Sequence, residues 1–317
     1  MNLISVVIPI FNEEETIKEL IERIDSSTRT KNLANYNFEF IFVDDGSKDC
    51  SVQLLNECAL KGKRVVVLSR NFGHQNAVIA GIDASCGDAV IVMDGDLQDP
   101  PELISNLIHE WEKGADVVHT VRKKRHGESF LKKASANVFY KVLNYLSNTD
   151  IPMNSGDFKL LDRQVVDELV RMPEQSLYLR GLISWIGFKQ EFIEYERDPR
   201  YAGHGKYSLR KMLRLALDAV FGFSEKPLYL IAKTGLFGTL MSVILLLYFC
   251  WGWYVDRDGM ALGWMSIIVV ILLLGSFQIL ALGFIGLFVG RIYRQTTQRP
   301  RYVVNQNRSS RHGVQDV

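Results

Sequence analysis

The chain has too little net charge to be a general nucleic-acid binder. Its 37 Lys and Arg against 36 Asp and Glu leave +1, whereas such a protein carries a basic field. Cysteine is scarce as well. Cys50, Cys58, Cys86 and Cys250 are the four in 317 residues. None stands at metal-ligand spacing and nothing suggests a disulfide framework, so buried thiols are expected. Glycine-rich phosphate loops are missing too. The first strand runs into Pro9-Ile10-Phe11-Asn12-Glu13, with neither the G-x-G-x-x-G of a dinucleotide site nor a P-loop. The amino-terminal end has no basic region and no cleavage site. Its apolar run from Leu3 to Phe11 stops at Glu13-Glu14-Glu15, which does not fit a secretory signal. The amino-terminal part is therefore expected in the cytoplasm.

Apolar residues make up 47% of the chain, and they are unevenly placed. Residues 1–225 read as soluble and residues 227–290 as membrane. The soluble part alternates strands and helices. Ile4–Ile10, Phe38–Val43, Val65–Leu68 and Val90–Met93 are short β-branched or apolar runs. Between them lie helical patterns, the clearest being Ile17, Leu20, Ile21 and Ile24 at i, i+3, i+4, i+7. A further helix from Pro101 to Lys113 and a strand from Ala115 to Val121 follow. This βαβ alternation predicts an α/β fold with a mainly parallel sheet covered by helices. Right-handed crossovers then put the strand carboxyl ends along one edge, where such folds bind ligands.

Three of those ends carry polar or acidic residues: Asn12-Glu13, Asp44-Asp45 and Asp94-Gly95-Asp96. The last belongs to Val90-Ile91-Val92-Met93-Asp94-Gly95-Asp96-Leu97-Gln98-Asp99-Pro100-Pro101. Unpaired carboxylates are too costly to bury as core. A turn at Gly95 could bring Asp94 and Asp96 onto one cation, and such hard oxygen ligands suit Mg²⁺ or Mn²⁺ with substrate phosphates. Taken alone, the triplet reads equally well as an acidic loop. A sugar-nucleotide site would use these groups differently from a Rossmann site: a carboxylate accepts from a base N–H and a metal holds the diphosphate. Asp45 and the Asp94/Asp96 pair fit that arrangement.

Downstream, Arg122-Lys123-Lys124-Arg125-His126-Gly127 is either a solvated loop or a loop that closes over phosphates. Asn154-Ser155-Gly156-Asp157-Phe158 places an aspartate between glycine and an aromatic, where it could cap a helix or serve a site. Arg200-Tyr201-Ala202-Gly203-His204-Gly205-Lys206 pairs two cations with two glycines, a combination that suits an anion. From Leu209 to Phe221 apolar residues repeat at helical spacing, with Arg210, Lys211 and Arg214 off the stripe. This reads as an interfacial helix. Leu228–Val255 and Ala261–Val289 each exceed the ~20 residues that cross a bilayer. Arginines at 291, 294, 299, 301, 308 and 311 contrast with the acidic-flanked loop Asp256-Arg257-Asp258. That places both ends in the cytoplasm at the plasma membrane.

In this order, the motifs resemble those of family-two glycosyltransferases of the polyisoprenyl-phosphate branch, which includes bacterial bactoprenol glucosyltransferases and dolichol-phosphate mannose synthases. The resemblance runs over essentially all of residues 1–300. It implies a GT-A catalytic domain (1–207), an amphipathic juxtamembrane region (208–226), a transmembrane hairpin (227–290) and a basic tail (291–317). It further implies Pro9, Phe11 and Glu13 in the nucleotide pocket, Asp45 on the base, and Asp94, Asp96 and Gln98 on Mg²⁺ or Mn²⁺. Asp96 and Asp157 become the catalytic candidates, Asp157 as base, and Arg122, Arg125, Arg200 and Lys206 the phosphate holders. Two positions depart from common forms: Gly95 stands where alanine is frequent, and Gly205 where serine is.

The function expected from this is inverting transfer of a sugar, foremost glucose from UDP-glucose, onto a polyprenyl phosphate, giving a β-linked product. GDP-mannose or a modified UDP-sugar would fit the same frame, and homo-oligomers are compatible with the membrane hairpin. A processive polysaccharide synthase is disfavoured, because no Gln-x-x-Arg-Trp acceptor motif is present. A non-enzymatic membrane scaffold is disfavoured by the intact acidic residues.

Overall fold

The computed structural model describes residues 2–122, 155–174, 179–195 and 264–309, with scattered positions between 231 and 254. A seven-stranded sheet forms its centre, in the order β3-β2-β1-β4-β6-β5-β7. The strands are β1 (Asn2–Ile10), β2 (Tyr36–Asp44), β3 (Lys63–Val67), β4 (Ala89–Val92), β5 (Val117–Arg122), β6 (Ser155–Asp162) and β7 (Gln190–Tyr195). Helices α1 (Ile17–Thr28), α2 (Ser51–Glu57), α3 (His74–Asp83), α4 (Ile104–Glu112), α5 (Arg163–Arg171) and α6 (Leu179–Ile186) cover it.

β1, β2, β3 and β4 pair in parallel, as the alternation predicts. β6 breaks the pattern by running antiparallel to both β4 and β5. The short piece around Asp157 is thus a strand, and Asp157 does not cap a helix. That task falls to Asp162, whose side chain accepts from Gln164 N at the start of α5.

Side chains alternate along each strand, so the sheet has two apolar faces. Ile4, Val6, Ile8, Phe40, Phe42, Ile91 and Leu160 pack with α1, α2 and α4. Val7, Ile41, Val43, Val90, Val92 and Leu161 pack with α3, α5 and α6. The predicted α1 stripe of Ile17, Leu20, Ile21 and Ile24 is wholly buried. This alternation also positions chemistry. Asp45 follows Ile41 and Val43, Asp94 follows Val90 and Val92, and Asp157 lies two and four residues before Lys159 and Leu161. All three carboxylates thus continue the face that α3 covers.

The cysteines correct an expectation. Cys50 and Cys86 are exposed and Cys58 is half-buried, because they sit at helix ends and turns rather than on apolar stripes. Of the expected membrane hairpin, the second span corresponds to a helix at Trp264–Thr296. Its Phe277–Thr296 stretch is the one helix among the described residues long and apolar enough to cross a membrane. The described positions between Ile231 and Tyr254 are all helical; the rest of the first span and the 208–226 helix lie outside the described residues. The basic tail does not extend freely. After the long helix, its residues 302–309 return to β3: Leu68 bridges Val304, and Asn305 N donates to Val67 O at 2.7 Å.

Candidate active site

The carboxyl ends of β2, β1 and β4 lie side by side, and the amino end of antiparallel β6 reaches the same edge, because Val92 pairs with Lys159. Two acidic groups result. The first is at β2. Asp44 and Asp45 are almost fully buried. Asp44 accepts from Ser47 N at 3.2 Å on both oxygens. Asp45 Oδ1 accepts from Phe72 N at 2.7 Å and Oδ2 from Gly73 N at 3.0 Å. Burial pushes both carboxyls up, and these N–H donors pull them partly back. The turn and the loop meet closely. Gly46 has φ +73°, and a Cβ there would lie 2.6 Å from Arg70 C, so both the backbone angle and the space demand glycine.

Around this group sit the other residues expected in a nucleotide pocket. Pro9 pairs with Val43 and is buried, whereas Phe11 is 39% exposed at the rim. Asn12, at φ +53°, donates its N–H to Ser47 Oγ and accepts from Lys48 N through Oδ1. Glu13 N donates to Ser51 Oγ at 3.0 Å. The strand-end polar residues of β1 thus tie themselves to the β2 turn. Exposed Arg70 lies over the Phe72 ring, 4.1 Å from its centroid.

The second group is at β4 and β6. His74, the first residue of α3, has Nε2 3.6 Å from both Asp94 Oδ1 and Asp157 Oδ2. Arg180 of α6 donates Nε to Asp157 Oδ1 at 2.9 Å. Burial would lower the His74 pKa, but the Asp157 and Asp94 carboxylates outweigh it and lift the imidazole to about 9. Burial raises Asp94 to about 6, against the pull of His74 and reinforced by the charges of Asp157, Asp99 and Asp96. Burial acts on Asp157 as well, yet Arg180 and His74 hold its carboxyl well below the usual range. Behind it lies Lys159, 2% exposed, which burial lowers to about 8 against the attraction of Asp157 and Asp94. Its Nζ makes no hydrogen bond, and a water-sized cavity of ≈ 10 Å³ adjoins it, lined also by Gln75, Asp157 and Leu179.

Asp96 is buried and its Oδ1 accepts from Gln98 N at 3.2 Å. Gln98 is half-buried. His74 and Asp157 also converge on Asp94, with one ligand atom of each within 4.8 Å of the others. Asp94 Oδ1 is buried without a hydrogen-bond partner. An orphaned carboxylate oxygen of that kind fits a hard divalent cation. The loop carrying these residues is anchored: Thr16 Oγ1 donates to Gly95 O, and the Tyr195 hydroxyl donates to fully buried Asp99. Of the expected phosphate holders, Arg122 ends β5 with its side chain outside the described residues, and Arg125, Arg200 and Lys206 also lie outside them.

His74, Lys159 and Arg180 were not among the residues picked from sequence. His74 had a signal, since it ends the polar run Ser69-Arg70-Asn71-Phe72-Gly73-His74 that follows the third strand. Arg180 had a weaker one: it is the lone charge in the helix LRGLISWI. Lys159 sits on a strand between apolar neighbours, where a lysine is ordinarily solvated.

An acidic carboxyl edge without a glycine phosphate loop, joined by an antiparallel strand that adds a further carboxylate, suits the glycosyltransferase class that the sequence motifs resemble. Comparison with known proteins leads to the same class. Residues 5–170 match the model "Glycosyl transferase family 2", and the chain belongs to that family. It is 46% identical over 308 residues to the glycosyltransferase YkcC of Bacillus subtilis, covering 96% of this chain and 93% of the relative. It is 39% identical over 312 residues to the bactoprenol glucosyl transferase of Shigella phage SfX, with 96% and 99% covered. A glycosyltransferase of Synechocystis, sll0501, is 38% identical over 309 residues, with 95% and 94% covered.

Proposed function

We propose that this enzyme transfers a hexose, glucose from UDP-glucose, onto a polyprenyl phosphate at the cytoplasmic face of the plasma membrane, with inversion. The observation that carries this reading is the convergence of Asp94, Asp157 and His74 beside the clamped Asp45 at one sheet edge. Full-length similarity to bactoprenol glucosyl transferases supports the acceptor class. The long exposed apolar helix supports a membrane location.

In this reading the uracil and ribose lie over β1 and β2, between Pro9, Phe11, Glu13 and Asp45. Asp94, Asp96 and Gln98 would hold Mg²⁺ or Mn²⁺, with Asp157 and His74 beside them. When bound, the ion would offset charge on the departing nucleotide. Arg122, Arg125, Arg200 and Lys206 hold phosphates of donor and acceptor. A phosphate oxygen of the lipid attacks the anomeric carbon and forms the new C–O bond. The bond to the donor's β-phosphate oxygen breaks, and its electron pair leaves with UDP.

A phosphate monoester carries about −1.5 to −2 charge at neutral pH, so the nucleophile needs placement more than deprotonation. Asp157, held ionised by Arg180 and His74, suits orientation of the sugar or acceptor better than proton removal. Its low pKa makes it a poor base near neutrality. Lipid products formed from a panel of UDP- and GDP-sugars, resolved by thin-layer chromatography, test the proposal. A labelled polyprenyl-phosphate glucose is expected. Label that stays water-soluble with every donor overturns it.

A further inference from the structure

The carboxy-terminal segment is built into the catalytic domain at a functionally placed point. Tyr302 and Val304 pack against the apolar face shared by β1, β2 and α3. The Tyr302 hydroxyl donates to Asp83 at the end of α3, at 2.7 Å. Ser69 N donates to Val303 O at 2.8 Å, Asn305 N to Val67 O at 2.7 Å, and Val67 N to Ser309 Oγ at 3.0 Å. The segment thus covers the last residues of β3, an edge strand whose backbone would otherwise lie open.

Those last residues lead straight into the loop that closes on Asp45. Leu68 N donates to Asp44 O at 2.9 Å, and four residues later Phe72 and Gly73 grip the Asp45 carboxylate. The turn opposite them has no slack, since a Cβ on Gly46 would strike Arg70 and Asn71. A shift of β3's end by a fraction of an ångström would be passed on to the Asp45 clamp. The segment also brings positive charge to this edge. Arg308 attracts the Asp44 carboxylate, and Arg301 faces Asp83.

We propose that residues 302–309 are a positioning clamp for the donor pocket, holding the β3 end and the Ser69–Gly73 loop in the place that Asp45 requires. This rests on the donor-pocket reading above. The segment follows the long Trp264–Thr296 helix by only a few residues. The clamp therefore also ties the nucleotide half of the site to the end of that helix.

The test is titration of the full-length enzyme with UDP and Mn²⁺ by calorimetry, alongside steady-state kinetics. Two variants are compared: Tyr302→Phe with Ser309→Ala, and truncation after Gln298. Weakening of UDP binding and a rise in donor KM by about tenfold are expected for the truncation, about threefold for the double substitution, with kcat held within about twofold. A peptide of residues 299–317 added to the truncated enzyme should restore UDP binding. If the truncation does not fold, the double substitution decides alone. Wild-type enzyme that binds UDP while folded variants bind it equally overturns the clamp. A fall in kcat with donor KM unchanged overturns it too. Wild-type enzyme that binds no UDP overturns the donor-pocket reading itself.

Discussion

The two acidic groups of this sheet edge are neutralised by different means. Asp44 and Asp45 are held by backbone N–H groups of Ser47, Phe72 and Gly73. Asp94 and Asp157 face side-chain cations, His74 and Arg180. Amide donors do not titrate and move only with the chain, so the β2 group is fixed in shape and suited to reading a constant part of a ligand. Side-chain cations can rotate and exchange for other cations. In the reading proposed above, the β4–β6 group is the half that takes the metal, the phosphates and the sugar. The division matches the two halves of a nucleotide sugar, one recognised and one transformed.

The sharpest way to break this comparison is to remove a carboxylate from the transforming half. Asp94→Ala should lower sugar transfer by about 10³-fold or more, the scale seen when preorganised charge stabilisation is lost, while the protein stays folded. Radiolabel transfer measured alongside thermal unfolding checks this. Turnover that survives EDTA at near the untreated rate would remove the metal from the reading. Asp157→Asn should cost about 10²-fold, at the low end for groups acting on protons or substrate orientation. Because His74 and Arg180 hold Asp157 ionised far below neutrality, Asp157 itself should add no limb to the wild-type pH–rate profile between pH 6 and 8, and a new limb in the variant would come from His74, whose pKa falls when the Asp157 charge is lost. A fall in wild-type rate toward low pH that the variant lacks would instead make Asp157 a true base.

The same half should also carry more of the pH dependence of stability. His119 on β5 is 1% exposed, stacks on Phe192, and bonds Gln190 through Nε2 at 3.0 Å. Burial and the nearby Lys159 charge lower its pKa to about 4, from 6.5. The folded state thus binds fewer protons than the unfolded chain. Its contribution is whole above pH 6.5 and is lost as pH falls toward 4. About 2 kcal/mol should disappear between pH 8 and pH 5. Urea unfolding of wild type and His119→Gln at both pH values gives the difference, and equal slopes would remove His119 as its source.

Legibility followed the same division. The β2 group lies at the end of a βαβ repeat, so Asp44-Asp45 could be placed on the ligand edge by alternation alone. The β4–β6 group could be read only in half. Asp94 ends a recognisable buried strand, but its partner Asp157 comes from β6, which runs the opposite way and is separated by a long stretch from β4. A local pattern of glycine, aspartate and phenylalanine does not say which strand it joins, and register is a tertiary property. His74 and Arg180 enter through helices packed on one face, which periodicity marks as apolar without showing what their ends meet. The docking of the tail was illegible for the same reason. Its arginines spoke only to membrane orientation, whereas Tyr302 and Val304 supply the contacts that dock it.

In the recognising half, Asp45→Asn should raise donor KM by about tenfold, with kcat changed far less. The amide can keep one of the two N–H bonds but turns a donor toward the other, leaving a loop N–H unpaired. A larger fall in kcat than in binding would show that the halves are not separate. The smallest effect is expected at the junction of the two. Gly95 stands between Asp94 and Asp96, and a Cβ there would come 2.6 Å from Ile10 Cδ1. Gly95 is not among the glycines with positive φ, so no backbone strain opposes a side chain. The obstacles are the tip of Ile10, which can change rotamer at a cost of about 1 kcal/mol, and Pro9 O at 3.3 Å, which must yield slightly. Gly95→Ala should therefore lower stability slightly and leave transfer within about twofold of wild type. Paired with Ile10→Val, which removes the struck methyl, it should recover part of the lost stability. A large loss of activity in Gly95→Ala that Ile10→Val does not relieve would mean that a ligand approaches this backbone directly, and the boundary between the two halves would then lie within the metal-facing loop.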